Sequence, residues 1–282
     1  MRIFILAVDG LEYDLVKKWH LSNLKQEVFG WIDVSSFRKI LTPILWASFI
    51  TGKPPETHGV TSWWTLSSIS WIDRLFHLVR YRSPVIKHIP DWRLRKMVEF
   101  LGLDIRPPQK SDLQERGLLT IFDCASRPVA IDVPSYSETA DTRALYARAM
   151  EGGIMKYENE IWRVHKRRIE EIWDKLNLDW DLFMAWVDLC DQMGHMWMGK
   201  NMLKMLKAYT RIDRLAYRIK QVLPNDTLFV IVSDHGFGVS PDGYPCHSSR
   251  AFYSFNTDMG WRPEGILDYA GFVREVLLKK SA

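Results

Sequence analysis

With 282 residues, 47% of them hydrophobic, and a formal charge of only +4, the chain can bury a large core and lacks the charge excess of a nucleic-acid binder. No run reaches the ~18 apolar residues of a membrane span, and the opening "RIFILAV" meets Asp9-Gly10 too soon for a secretory leader. Three cysteines (Cys124, Cys190 and Cys246), with no C-x-x-C pair, argue against a disulfide framework and for reduced thiols in a cytoplasmic setting.

Taken in chain order, Ile3–Val8 reads as a buried strand that stops at Asp9. Next comes "ILTPILWASFITGKPPETHGV", where Thr42 stands at an expected helix N-cap and Pro43 at the first helical position. Residues 61–118 differ in character. They hold ten Lys/Arg against six Asp/Glu, an excess of four, together with Trp63, Trp64, Trp71 and Trp92. This segment reads as a mainly helical cap or lid inserted in a single α/β domain spanning 1–282. Within it Trp64, Trp71, Leu75, Leu78 and Arg82 recur at helical spacing, which suits a lid, a homodimer contact or a peripheral membrane contact.

Further apolar runs follow at Val129–Val133, Leu182–Val187 and Leu228–Ser233, with helical patterns at Glu158–Lys175 and Met202–Val222. Continuous apolar strands alternating with helices imply a mostly parallel sheet covered on both faces. In such sheets ligands collect beyond the carboxyl ends of the strands. There the chain places Asp9, then Asp191 and His195 in "DLCDQMGH", then Asp234 and His235 in "VSDHGFG", with His247 in "YPCHSSR".

Each of these has an ordinary reading alone. Asp9 would be a turn residue, Asp191 and His195 an i,i+4 surface pair, Thr42 a cap and no more. Asp188 lacks the His at +4 and is set aside. His20, His77, His88 and His165 read as surface or core residues, and Cys190 and Cys246 as small buried apolar thiols. Together, three carboxylates and three imidazoles on one sheet edge are too many charges for a core without a counter-ion. Divalent metals resolve the conflict, since Asp oxygen and His nitrogen suit zinc, and mixed sites also suit manganese or iron. A metal-bound hydroxyl deprotonates more readily, and free N–H groups at a helix start hold phosphate oxygens, so Thr42 becomes a candidate nucleophile for phosphoryl transfer.

The ordered set of Asp9, "TPILWASFITG", "DQMGH", "SDHG" and His247 resembles the alkaline phosphatase superfamily. Within it the chain is most similar to the type I phosphodiesterase/nucleotide pyrophosphatase branch and its prokaryotic relatives. The resemblance implies two divalent ions, zinc in the first instance. One would be held by Asp191, His195 and His247, the other by Asp9, Thr42, Asp234 and His235. It also implies attack by Thr42 on a small-molecule phosphodiester or pyrophosphate, a phosphothreonine intermediate, and hydrolysis by water with overall retention. Thr51-Gly52 to His58-Gly59 is a shared feature in which His58 is structural. Animal-type members carry Asn three residues after the nucleophile, where this chain has Leu45.

The absence of a Cys/Ser-x-Pro-x-Arg signature disfavours a sulfatase. The alternatives are a phosphomonoesterase or phosphonate hydrolase of the same superfamily, and a metal-stabilised binding module that grips anionic lipid or nucleic acid through the basic insert.

Overall fold

The computed structural model describes residues 1–66, 100 and 105–279. Numbered along the chain, the strands are β1 (Arg2–Val8), β2 (Val28–Asp33), the short β3 (Thr65–Leu66) and β4 (Ile105–Arg106), β5 (Pro128–Ile131), β6 (Leu182–Val187), β7 (Thr227–Val232), β8 (Gly236–Val239), β9 (Pro245–Ser248) and β10 (Arg250–Phe255).

β1 is apolar from Ile3 onward and buried on both faces, as a central strand must be. It pairs in parallel with β6 on one side and β7 on the other, in a six-stranded sheet of order β2-β10-β7-β1-β6-β5. β5 pairs in parallel with β6, while β10 runs antiparallel to β7 and to β2. Five strands therefore share one direction. The sheet is mostly parallel, as expected.

Period-two alternation sends β1 side chains to both layers. Phe4, Leu6 and Val8 face a core shared with Ile161 and Val164 of the Ile154–Leu176 helix and Met205 and Ile212 of the Met202–Val222 helix. Ile3, Ile5 and Ala7 face the other core, with Leu45, Phe49 and Ile50 of the Thr42–Thr51 helix and Val273 and Val276 of the Asp268–Leu278 helix. Helices thus cover both faces. All ten residues of Thr42–Thr51 are buried, so this helix is apolar all round. Sealing a side chain such as Leu45 or Phe49 there contributes about 1.5–3 kcal/mol.

Three sequence readings need correction. The expected strand Val129–Val133 is β5, which begins at Pro128 and ends at Ile131, because Asp132 turns to φ 50 and leaves the sheet. Trp64 is not on a helix; it is buried just before β3, which pairs antiparallel with β4. Cys190 is buried, whereas Cys246 is only half-buried; none of the three cysteines forms a disulfide. The helical pattern containing Trp71, Leu75, Leu78 and Arg82, with His77 and His88, lies outside the described residues. Among those described, no helix is long and apolar enough to cross a membrane.

Candidate active site and metal-binding groups

The parallel strands bring their carboxyl ends to one edge. β1 delivers Asp9 there, and β7 delivers Asp234 and His235. β6 ends at Val187 and leads into the Leu189–Trp197 helix, which carries Asp191 in its first turn and His195 in its last, four residues apart on one face. Antiparallel β10 starts at this same edge, so the β8–β9 hairpin before it carries His247 back over the strand ends. β2 ends beside Arg250, and the loop beyond it leads to Thr42.

Thr42 is not the N-cap. Leu41, extended at φ −132 and ψ 130, takes that place without a side-chain cap bond, and Thr42 and Pro43 open the helix. The hydroxyl freed from capping lies 3.4 Å from Asp9 Oδ1, both residues being buried. The expected cradle of free amides is smaller than a helix start normally offers. Pro43 has no N–H and the Ile44 amide turns back to the Leu41 carbonyl at 3.0 Å, so two of the first four amides are withdrawn from any anion.

Two trios form. In one, ligand-type atoms of Asp9, Asp234 and His235 lie within 4.8 Å of one another; in the other, those of Asp191, His195 and His247 do. His235 Nε2 is 3.2 Å from Asp9 Oδ1 and 3.4 Å from Asp234 Oδ2. Asp191 Oδ1 is 3.4 Å from His195 Nε2 and 3.3 Å from His247 Nε2, and reaches toward His235 Nε2 at 3.9 Å, so the trios adjoin. The Asp9 trio is fully buried, whereas the His195 side chain is 50% exposed and His247 18%. The second trio therefore faces solvent and the first forms the floor.

The donor set fits divalent cations. His235 Nδ1 donates to the Gly236 carbonyl at 3.0 Å and His247 Nδ1 to the Ile40 carbonyl at 3.1 Å. A carbonyl can only accept, so each neutral ring keeps its proton on Nδ1 and turns an Nε2 lone pair toward the carboxylates. Both Asp234 oxygens, Asp191 Oδ1 and His235 Nε2 are buried with no partner in hydrogen-bond geometry. Orphaned buried acceptors of this kind need a cation. The electrostatics agree. Burial and the Asp9 charge push the Asp234 carboxyl well above its ordinary range. At His235, burial would lower the pKa, but the Asp234, Asp9 and Asp191 charges overrule it and lift it to about 10. Without a metal, a second proton on His235 therefore offsets part of the negative charge; a bound cation would displace that proton and take the Nε2 lone pair.

Around these groups stand residues the sequence reading did not name. Gln192 Nε2 donates to Asp191 Oδ2 at 3.3 Å, and Tyr157 O–H donates to Gln192 Oε1 at 2.5 Å. Gln192, inside "DQMGH", was visible as a polar neighbour of a candidate ligand; Tyr157, on a distant helix, gave no signal. Asp188, set aside for lack of a partner at +4, is indeed held elsewhere. It pairs with buried Arg168, whose Nε also donates to Asp132 Oδ2 at 2.8 Å, and it accepts Tyr146 O–H at 3.0 Å. His58 is structural, as expected. Its Nδ1 accepts the Val60 N–H at 3.1 Å, so Nε2 carries the proton that faces Ser48 Oγ at 2.9 Å. His165 is a core residue and His20 is exposed.

The family model described as type I phosphodiesterase / nucleotide pyrophosphatase matches residues 3–256. The chain belongs to that family. Its members hydrolyse phosphoric esters, and the matched span runs from β1 to the residue after β10, which includes both trios and Thr42. No curated protein sequence matches the chain. Among solved structures it is similar to murine ectonucleotide pyrophosphatase / phosphodiesterase 5, at 15% identity and TM-score 0.42 over 86% of this chain and 59% of that one. The human protein of the same name gives 15% identity and TM-score 0.43 over the same shares. The chain thus spans about 59% of the length of these relatives.

Proposed function

We propose that this member of the phosphodiesterase family cleaves a phosphodiester or pyrophosphate bond through a covalent intermediate on Thr42, with divalent cations held by Asp9, Asp234 and His235 together with Thr42, and by Asp191, His195 and His247. One observation carries the reading. Thr42 spends no hydroxyl on capping its helix and directs it instead to Asp9 Oδ1, on the floor of a buried, acid-rich site. Bound cations would supply the positive charge that lowers the pKa of this hydroxyl and offsets charge growing on the phosphoryl oxygens.

In the first step a bond forms between Thr42 Oγ1 and phosphorus while the bond to the leaving oxygen breaks, so the phosphoryl group stays on Thr42 with its remaining substituent and the alcohol or phosphate leaves with the hydroxyl proton. In the second, water attacks that phosphorus from the opposite side, the Thr42–phosphorus bond breaks, and the hydroxyl is restored. Two in-line inversions give overall retention. The half-exposed His195 side suits departure of the leaving group and entry of water. Leu45 is buried in the core, so it offers no side-chain amide to the phosphate. Positioning and charge would dominate catalysis.

The test combines metal analysis with one substitution. Purified protein should contain divalent metal, and Thr42→Ala should lose at least about 10³-fold in turnover of a bis-aryl phosphate, about 4 kcal/mol of barrier. Acid-quenched reactions should show an aryl phosphate group on Thr42 by mass spectrometry. Unchanged turnover in Thr42→Ala, or protein free of divalent metal yet active, removes the proposal. Faster turnover of mono-aryl than bis-aryl phosphate would replace diesterase by monoesterase action.

A further inference from the structure

Glu12 is a buried carboxylate three residues after Asp9, with no part in either trio. Its Oε1 accepts the Asp14 N–H at 3.2 Å, a local bond that caps the short Tyr13–Lys18 helix. Its Oε2 does something different. It reaches across the sheet edge to accept the Phe237 N–H at 3.1 Å in β8 and the Ser248 O–H at 2.6 Å in β9. One oxygen therefore grips both strands of the hairpin that carries His247.

The fit around this oxygen is close. A Cβ placed on Gly236 would overlap both Glu12 Oε2 and Ser248 Oγ, so only glycine admits the carboxylate here. Glu12 is itself fixed from behind, because its N–H donates to Tyr209 O–H at 2.8 Å, and that hydroxyl donates to the Gly10 carbonyl at 3.3 Å. The loop holding Asp9 and the hairpin holding His247 are 238 positions apart in sequence, and their β-ladders belong to different sheets. Hydrogen bonds to an ionised acceptor are roughly twice as strong as neutral ones and set geometry as well as energy.

We propose that Glu12 is a positioning residue for the site: by clamping the β8–β9 hairpin to the Asp9 loop, it sets His247 at its distance from Asp191 and so fixes the spacing of the two trios. This rests on the metal reading above for its effect on the site, while the clamp itself can be read without any metal. Losing Glu12 would let the hairpin drift and would weaken the solvent-facing trio, leaving Asp9, Asp234 and His235, which hang from β1 and β7, in place.

Two measurements on the full chain decide it. The first is amide hydrogen exchange of the metal-stripped protein. Glu12→Gln keeps size and the Oε1 acceptor but turns an N–H toward Phe237. Residues 236–248 should exchange at least tenfold faster in it than in wild type, with β1 and β7 unchanged. Ser248→Ala, which removes one hydroxyl and spares the buried carboxylate, should give a smaller change over the same residues, and it stands in should Glu12→Gln fail to fold. The second is a Mn²⁺ titration. Glu12→Gln should weaken one class of site 10–100-fold, the range typical when a partner that orients a ligand is removed, and should change nothing further in a His247→Ala background. Wild-type exchange over 236–248 in these variants overturns the clamp. Equal weakening of both site classes overturns its selectivity for His247. If wild type binds no Mn²⁺, the metal reading fails and hydrogen exchange alone decides the clamp.

Discussion

Gln192 shows how a single side chain steers a candidate ligand. Asp191 turns one oxygen toward three imidazoles and the other toward Gln192, which Tyr157 holds in turn. Gln192→Ala should lower divalent affinity about tenfold or more, with Tyr157→Phe shifting it less in the same direction; equal affinities in a Mn²⁺ titration would refute the relay. Two other histidines govern acid stability. Burial first, then neighbouring arginine charge, lowers the pKa of His58 and of His165 from the ordinary 6.5 to about 3. A neutral imidazole in the fold contributes stability that is full above pH 6.5 and is lost as the pH falls toward 3, by up to about 1.4 kcal/mol per pH unit for each. Neither His165 nitrogen has a partner, so His165→Leu should flatten the acid limb of a urea-denaturation profile between pH 6 and 4 without destabilising the protein at pH 7.

At the scale of elements, Arg168 fastens three of them. From the Ile154–Leu176 helix it pairs with Asp132 beyond β5 and Asp188 beyond β6, and its guanidinium lies 4.5 Å from the Trp186 ring centroid. Replacing it by Met leaves two buried carboxylates without a cation, at a cost of about 3–5 kcal/mol that chemical denaturation would read. None of this was legible beforehand, because an Arg in a helix with many Lys and Arg reads as a solvated face. The central strands were legible, since β1, β6 and β7 are continuous apolar runs that end on polar residues. β2 and β10 were not. β2 alternates in burial, but its exposed positions hold Phe29 and Trp31, which hide the period of two that marks a half-covered strand. Missing β10 also hid why His247 belongs to the site: only a strand running backwards returns the chain to that edge. The candidate residues themselves were readable because ligands at strand ends keep simple spacings. Thr42 was displaced by one helical position because Leu41, with no capping side chain, gives no signal for an N-cap.

For the whole molecule, cations held between β1, β6, β7 and the β8–β9 hairpin would bind the folded chain and not the unfolded one. Free Zn²⁺ at 100 times its dissociation constant should then raise stability by about 2.7 kcal/mol, and a chelator should lower the melting temperature correspondingly. A melting curve indifferent to chelator would contradict this coupling. Asp9→Asn/Asp234→Asn, which removes two of the buried charges, should reduce the chelator response to the part that the Asp191, His195 and His247 trio contributes and leave the metal-free fold at least as stable.

The place of β1 has a consequence for how the chain is made. It is a central strand, apolar from Ile3 onward, yet its two partners are β6 and β7, which begin at Leu182 and Thr227. At ribosomal speeds of about 5–20 residues per second, β1 waits roughly 9–36 s with both edges bare before β6 is made, and roughly 11–45 s before β7 can cover the second edge. During that interval Ile3–Val8 is an aggregation-prone template exposed on a nascent polypeptide, and chaperone occupancy should peak there and fall once residue 232 has cleared the exit tunnel.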